Sequence, residues 1–128
     1  MRVLIDTRAF LWWVEGDRAL PTRARNALAN PGNECLFSLA SVWELAIKIG
    51  LGKLRLALPV RRYVAEHLAA NGLRLLDIGL AHVGRVEALA VHHRDPFDRL
   101  LIAQALEEKL PMVTADPVFR KYGVKRIW

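Results

Sequence analysis

Four acidic residues, Asp6, Glu44, Asp98 and Asp116, each stand where a strand or loop hands over to a helix, or in the first turns of one. They are spread along the whole chain, so only a fold can gather them. Gathered, their carboxylates make an oxygen-rich, negatively charged cup whose natural occupant is a hard divalent cation, Mg2+ or Mn2+. Two carboxylates ~5 Å apart repel by roughly 3 kcal/mol at an effective dielectric near 20. A bound cation removes that repulsion, and helix N-termini favour the ionised form. The chain around the acids is basic, with 19 Lys+Arg against 13 Asp+Glu and a formal net charge of +6. A cation-holding acidic cup in a basic protein suits work on a polyanion.

Each acid also has a local explanation. Ser41-Val42-Trp43-Glu44 has the pattern of a capping box. Asp95-Pro96-Phe97-Asp98 puts Asp95 at an N-cap, Pro96 at the first helical position and Asp98 in the first turn. Asp116-Pro117 reads as another N-cap followed by proline. Taken singly, a cap contributes about 1 kcal/mol and needs no cation. The cation reading holds only if the fold brings the four together.

The elements that must do so follow from the apolar pattern. Val3–Ile5, Glu34–Phe37, Leu73–Ile78, Met112–Thr114 and Val124–Ile127 read as strands. Helices are expected over 7–15, 22–29, from Ser38 or Ser41 to 49, 59–71, 80–89, 96–109 and 117–121. Glycines or Asn-Gly and Asn-Pro-Gly turns close several of them. Strands alternating with helices imply an α/β fold, a parallel sheet covered on both faces. In such folds ligands bind beyond the carboxyl ends of the strands. Asp6 directly follows the first strand and Asp116 lies just past the fourth. Glu44 and Asp98 lie in the early turns of helices whose N-termini point the same way.

The 128 residues fit a single domain over 1–128, with no linker, repeat or low-complexity segment. Hydrophobic residues make up 53%, which excludes a disordered chain. One thiol, Cys35, excludes an internal disulfide and a cysteine-rich zinc site, and reads as a small buried hydrophobe. No run of roughly 18 apolar residues is present, so no membrane span is expected. The N-terminus reads as a strand rather than a signal peptide, which points to a cytoplasmic protein. Trp12 and Trp13, about 100° apart on one helix, cannot both face the core squarely. The one at the margin is a candidate to dock a partner helix. Trp43 is expected to support the core beside Glu44, and Trp128 has no readable role.

Leu4-Ile5-Asp6-Thr7 and Ser41-Val42-Trp43-Glu44-Leu45-Ala46-Ile47-Lys48 resemble the first two acidic motifs of PIN-domain ribonucleases. Asp95-Pro96-Phe97-Asp98-Arg99-Leu100-Leu101-Ile102-Ala103-Gln104-Ala105 resembles the third, and Thr114-Ala115-Asp116-Pro117-Val118-Phe119 the fourth. With Gly50-Leu51-Gly52-Lys53-Leu54, the pattern is most similar to VapC toxins of type II toxin–antitoxin systems. It covers nearly the whole chain. The resemblance implies a three-layer α/β/α sandwich with a parallel sheet of about five strands. It implies a metal-dependent endoribonuclease in which Asp6 and Asp98 are the principal Mg2+ ligands. Glu44 and Asp116 would complete the cluster directly or through water, and Thr114, with Thr7, would hold the site by hydrogen bonds. Asp95 would support it. The implied partners are RNA, a cognate antitoxin and a second copy of the chain. Where many such toxins have histidine after the Asp-Thr pair, this chain has Arg8, which removes no ligand. Arg8, Arg94 and Arg99, close to the acids in sequence, are candidates to track an RNA backbone.

A divalent ion in the cup would lower the pKa of water and neutralise phosphoryl charge, so that hydrolysis leaves a 5′-phosphate and a 3′-hydroxyl. One ion and two are equally compatible with the sequence. A rival chemistry uses two imidazoles and the substrate's 2′-hydroxyl, without metal. His92 and His93 are adjacent and cannot flank one phosphate, while His67 and His82 are expected on helix surfaces. The alternative functions are a PIN-like nuclease of RNA maturation and a basic RNA-binding domain whose acids are only caps.

Overall fold

The computed structural model describes residues 1–128. The order is β1 (Arg2–Ile5), α1 (Thr7–Glu15), α2 (Thr22–Ala29), β2 (Glu34–Ser38), α3 (Leu39–Gly50), α4 (Val60–Asn71) and β3 (Arg74–Leu76). There follow α5 (Leu80–Ala88), α6 (Pro96–Glu107), β4 (Met112–Val113), α7 (Val118–Lys121) and β5 (Arg126–Ile127). The five strands form one parallel sheet in the order β3-β2-β1-β4-β5.

The sheet is buried on both sides because its inner strands are apolar at all but their end positions, and the strand period of two sends alternate side chains to opposite faces. Val3, Ile5, Cys35, Phe37 and Val113 enter one core cluster with residues of α1, α2, α3 and α4. Phe10 of α1 stacks on Phe37 there, with ring centroids 3.9 Å apart. Leu4, Leu36 and Met112 enter the other cluster with Leu101, Ile102 and Ala105 of α6 and Phe119 of α7. Each such side chain, fully buried, contributes about 1.5–3 kcal/mol. The layers are thus helix, sheet, helix.

This order creates the place for a site. β1 is central, with β2 paired on one side and β4 on the other. The chain steps outward from β1 through β2 to β3 and then returns past β1 to β4 and β5, so the strand order reverses there and a crevice opens beyond the carboxyl ends of β1 and β4.

Several local expectations need correction. The N-cap of α3 is Ser38, whose side chain accepts from Ala40 N–H at 3.0 Å, so Ser41–Glu44 is not a capping box. Ser38 does two jobs, because its hydroxyl also bonds the buried Gln104 of α6. The outer strands β3 and β5 are shorter than their apolar runs, since an edge strand has a ladder on one side only. His82 is buried rather than on a surface face, with Nδ1 accepting from Gly79 N–H at 2.9 Å. Trp43 is 53% exposed instead of supporting the core. Leu39, Trp43 and Ile47, at four-residue spacing on α3, form an exposed apolar row, and Trp43 meets Phe97 edge-on at 4.9 Å. Trp12 and Trp13 both pack half-buried against the first core cluster, Trp12 beside Trp128. No helix is long and apolar enough to cross a membrane.

Candidate active site

Asp6 leaves β1 and caps α1, its Oδ1 accepting from Ala9 N–H at 2.7 Å. Burial raises its pKa to about 6; the Thr114 hydroxyl, the Ala9 N–H and Arg8 pull it down less strongly, and the Glu44 charge pushes it up. Thr114 is fully buried just after β4, and its Oγ1 accepts from Asp116 N–H at 3.1 Å. The fourth motif is tied to the first across neighbouring strands by the Asp6 N–H, which donates to the Val113 carbonyl at 3.0 Å. Asp116 is exposed, and its Oδ1 accepts from Val118 N–H at 2.9 Å. It serves the start of α7 from one residue before the N-cap position, which Pro117 occupies.

Glu44 is 7% exposed on α3. Thr7 donates to its Oε1 at 2.7 Å, and Ser41 Oγ lies 2.8 Å from Thr7 Oγ1. Because the single Thr7 proton goes to Glu44, the Ser41 hydroxyl donates to Thr7. Lys48 donates to Glu44 Oε2 at 2.7 Å, one turn along the same helix. Both carboxylate oxygens are therefore engaged by protein groups.

Asp98 lies in the first turn of α6, where Asp95 is the N-cap and accepts from Asp98 N–H at 3.0 Å. Burial is the main cause raising the Asp98 pKa to about 6, with Asp95 and Glu44 adding to it and His93 opposing. His93 Nε2 is 3.2 Å from Asp98 Oδ2, whereas Oδ1 has no protein hydrogen bond. Burial disfavours the charged form of His93, but the hydrogen bonds to Tyr122 and Asp98 outweigh it and its pKa is raised.

Asp6, Glu44, Asp95, Asp98 and Asp116 line one cleft of about 380 Å³ together with Arg8, Lys48 and Lys53. The four spaced acids thus reach one place, as the sequence required. They do not close on a point: no three carboxylate, imidazole or thiol groups stand near enough to ligate a single ion together. The reason is visible in their partners. Ala9 holds Asp6, Thr7 and Lys48 hold Glu44, His93 holds Asp98, and Val118 holds Asp116. The donor set fits a hard divalent cation in kind, being all carboxylate oxygen. Its electrostatics fit too: Asp6 and Asp98 are pushed toward neutrality by burial and by neighbouring negative charge, and a cation is what reverses that.

The basic residues divide differently from their sequence neighbourhood. Arg8 lines the cleft. Arg99 is turned away to the Ala90 carbonyl and the Tyr122 hydroxyl, and Arg94 is exposed outside the cleft lining. Lys48 and Lys53, not singled out from sequence, take those places. Lys48 was detectable as the i+4 partner of Glu44; Lys53, beyond the end of α3, carried no such signal. His93 and Tyr122 were also missed, because their contact spans 29 residues.

A model of the PIN domain matches residues 3–125. The chain is 28% identical over 123 residues to Ribonuclease VapC22 of Mycobacterium tuberculosis, covering 94% of this chain and 91% of that protein. Its fold is similar to that in the crystal structure of VapBC2 from Rickettsia felis bound to a promoter DNA fragment. That match has a TM-score of 0.73 and 16% identity over 98% of this chain and 97% of the other. It is also similar to FitAcB from Neisseria gonorrhoeae, with a TM-score of 0.61, 19% identity and coverage of 100% and 97%.

Proposed function

The chain belongs to the PIN-domain family, and from that premise we propose that it is a metal-dependent endoribonuclease and the toxin of a toxin–antitoxin pair. Residues 1–128 act as one nuclease domain in the cytoplasm. The observation that carries this reading is the meeting of five carboxylates from four distant segments in one cleft rimmed by Arg8, Lys48 and Lys53. The kinship with a ribonuclease along 94% of the chain supports the choice of RNA as the polyanion.

Asp6 and Asp98 would be the principal holders of the cation, Mg2+ or Mn2+, with Glu44 and Asp116 joining directly or through water. When bound, the ion supplies Lewis-acid chemistry, lowering the pKa of water and neutralising charge on the phosphoryl oxygens. The residues of the chain do the rest. Thr7 and Ser41 fix Glu44, and the Thr114 hydroxyl, which bonds Asp6 and accepts from Asp116 N–H, links Asp6 to the β4 loop. Asp95 fixes the turn that carries Asp98. Arg8, Lys48 and Lys53 draw the phosphate backbone to a cleft that its acids alone would make repulsive. In-line hydrolysis leaves a 5′-phosphate and a 3′-hydroxyl. An antitoxin and a second copy of the chain are the protein partners, and the exposed row Leu39, Trp43 and Ile47 offers apolar surface to one of them.

The test is cleavage of cellular RNA by the purified protein with Mg2+ or Mn2+, with and without EDTA, for the wild type, Asp6→Asn and Asp98→Asn. The expected result is metal-dependent cutting with 5′-phosphate ends and growth arrest on expression, both lost in each variant. Full activity in both variants rejects the site; cyclic phosphate ends without metal favour histidine chemistry; binding without cutting favours a mere RNA-binding domain.

A further inference from the structure

Behind Asp98 lies a hydrogen-bonded chain that ends on a tyrosine from the far end of the molecule. Tyr122, just past α7, places its hydroxyl 2.8 Å from His93 Nδ1. The same oxygen accepts from the His92 and His93 backbone N–H groups, each at 3.1 Å, and from Arg99 Nη1 at 3.1 Å. Three donors crowd that oxygen, so its own proton goes to an acceptor, and Nδ1 of the neutral imidazole at 2.8 Å is nearer than the His93 carbonyl at 3.4 Å. The proton of His93 is then on Nε2, which faces Asp98 Oδ2 at 3.2 Å. If His93 is protonated, both ring nitrogens carry protons and Nε2 still donates to Asp98. Either way one carboxylate oxygen is anchored and Oδ1 is left free of protein donors.

His93 and Tyr122 are absent from the cleft lining that Asp98 shares. They reach the site only through that carboxylate. Without them Asp98 would rotate about χ2, whose preferences are broad for a carboxylate, and its free oxygen would lose a fixed direction.

We propose that His93, held by Tyr122, is a positioning residue that sets which oxygen Asp98 presents to the cation in the cleft. This rests on the cation reading given above. Partners of metal-binding side chains characteristically matter by ten- to a hundredfold in metal affinity. Tyr122 acts one step further out, and acts only through His93.

The experiment measures Mn2+ binding to the full chain by calorimetry for the wild type, His93→Ala, His93→Gln, Tyr122→Phe and the double variant His93→Ala/Tyr122→Phe. Unfolding temperatures without metal are taken alongside. His93→Ala is expected to weaken Mn2+ about ten- to a hundredfold, with His93→Gln, which keeps an N–H donor, recovering most of the loss. Tyr122→Phe keeps the aromatic contacts to His92 and His93 and removes only the hydroxyl. It is expected to weaken Mn2+ on its own, by less than His93→Ala, and to have no further effect in the His93→Ala background. A purely structural role would lower the unfolding temperature and leave the Mn2+ affinity of the folded variants unchanged, which would overturn the proposal. So would additive effects of the two substitutions. If the wild type itself binds no Mn2+, the cation reading falls and takes this proposal with it; if the wild type binds and all variants bind equally, only this proposal falls.

Discussion

Replacing Asp6 with asparagine should stabilise the protein while abolishing its activity. Asp6 is half-buried and its pKa rises from 3.8 to about 6, chiefly through burial. A shift of about two units corresponds to roughly 3 kcal/mol held against the fold when the carboxylate is ionised at pH 7. Asparagine keeps the cap on Ala9, since Asn and Asp are equivalent there. It gives up the favourable charge at the α1 N-terminus, worth about 0.3–1 kcal/mol. The net expectation is a gain of about 2 kcal/mol in EDTA at pH 7, which for a chain of this size raises the melting temperature by about 8 °C. The sign with pH is fixed by the direction of the shift. Between 3.8 and about 6 the folded wild type holds a proton that the unfolded chain has released, so its stability rises as pH falls through that window. The advantage of the variant therefore shrinks below pH 6 and vanishes near pH 4. Added Mg2+ should stabilise the wild type at pH 7 and leave the variant unmoved. Calorimetric melts at pH 4 and 7, with EDTA or Mg2+, are the assay. A variant no more stable than the wild type at pH 7 in EDTA, or a gap that does not depend on pH, refutes the picture of a carboxylate waiting for a cation.

Two further outcomes test other parts of the structure. Lys53→Ala should weaken RNA binding by a similar factor across sequences and lower the salt slope by about 1, whereas Arg99→Ala, whose guanidinium is spent on Ala90 and Tyr122, should leave that slope unchanged; filter binding between low and moderate salt separates them. Ser38→Ala should destabilise by about 1–2 kcal/mol in a denaturant melt, because it removes the α3 cap and leaves the buried Oε1 of Gln104 without its donor.

The acids were legible because each belongs to a strand–helix junction, and junctions are written in local chemistry. Asp6 follows an apolar run, Asp95 precedes a proline, and Asp116 precedes another. The alternation of runs also implied that all strands point one way, which puts their carboxyl ends on one edge. Ser38 and Ser41 could not be separated locally, since both precede helical periodicity and only one is followed by a cap bond to Ala40. Trp43 misled because an aromatic beside a buried acid looks like core, while its place on α3 turns it outward.

Composition, apolar period and turn residues thus determined the parallel α/β architecture and delivered four carboxylates to one edge of the sheet. Those are properties of short segments, and short segments are what a sequence displays. The tertiary structure alone decided which carboxylate oxygens are held and which stay free, which cations rim the cleft, and that His93 and Tyr122 stand behind Asp98. Side-chain hydrogen bonds reach only about 3 Å, so pairs such as Thr7–Glu44, Ser38–Gln104 and His93–Tyr122, separated by 37, 66 and 29 residues, exist only once the sheet has set the distances between their backbones.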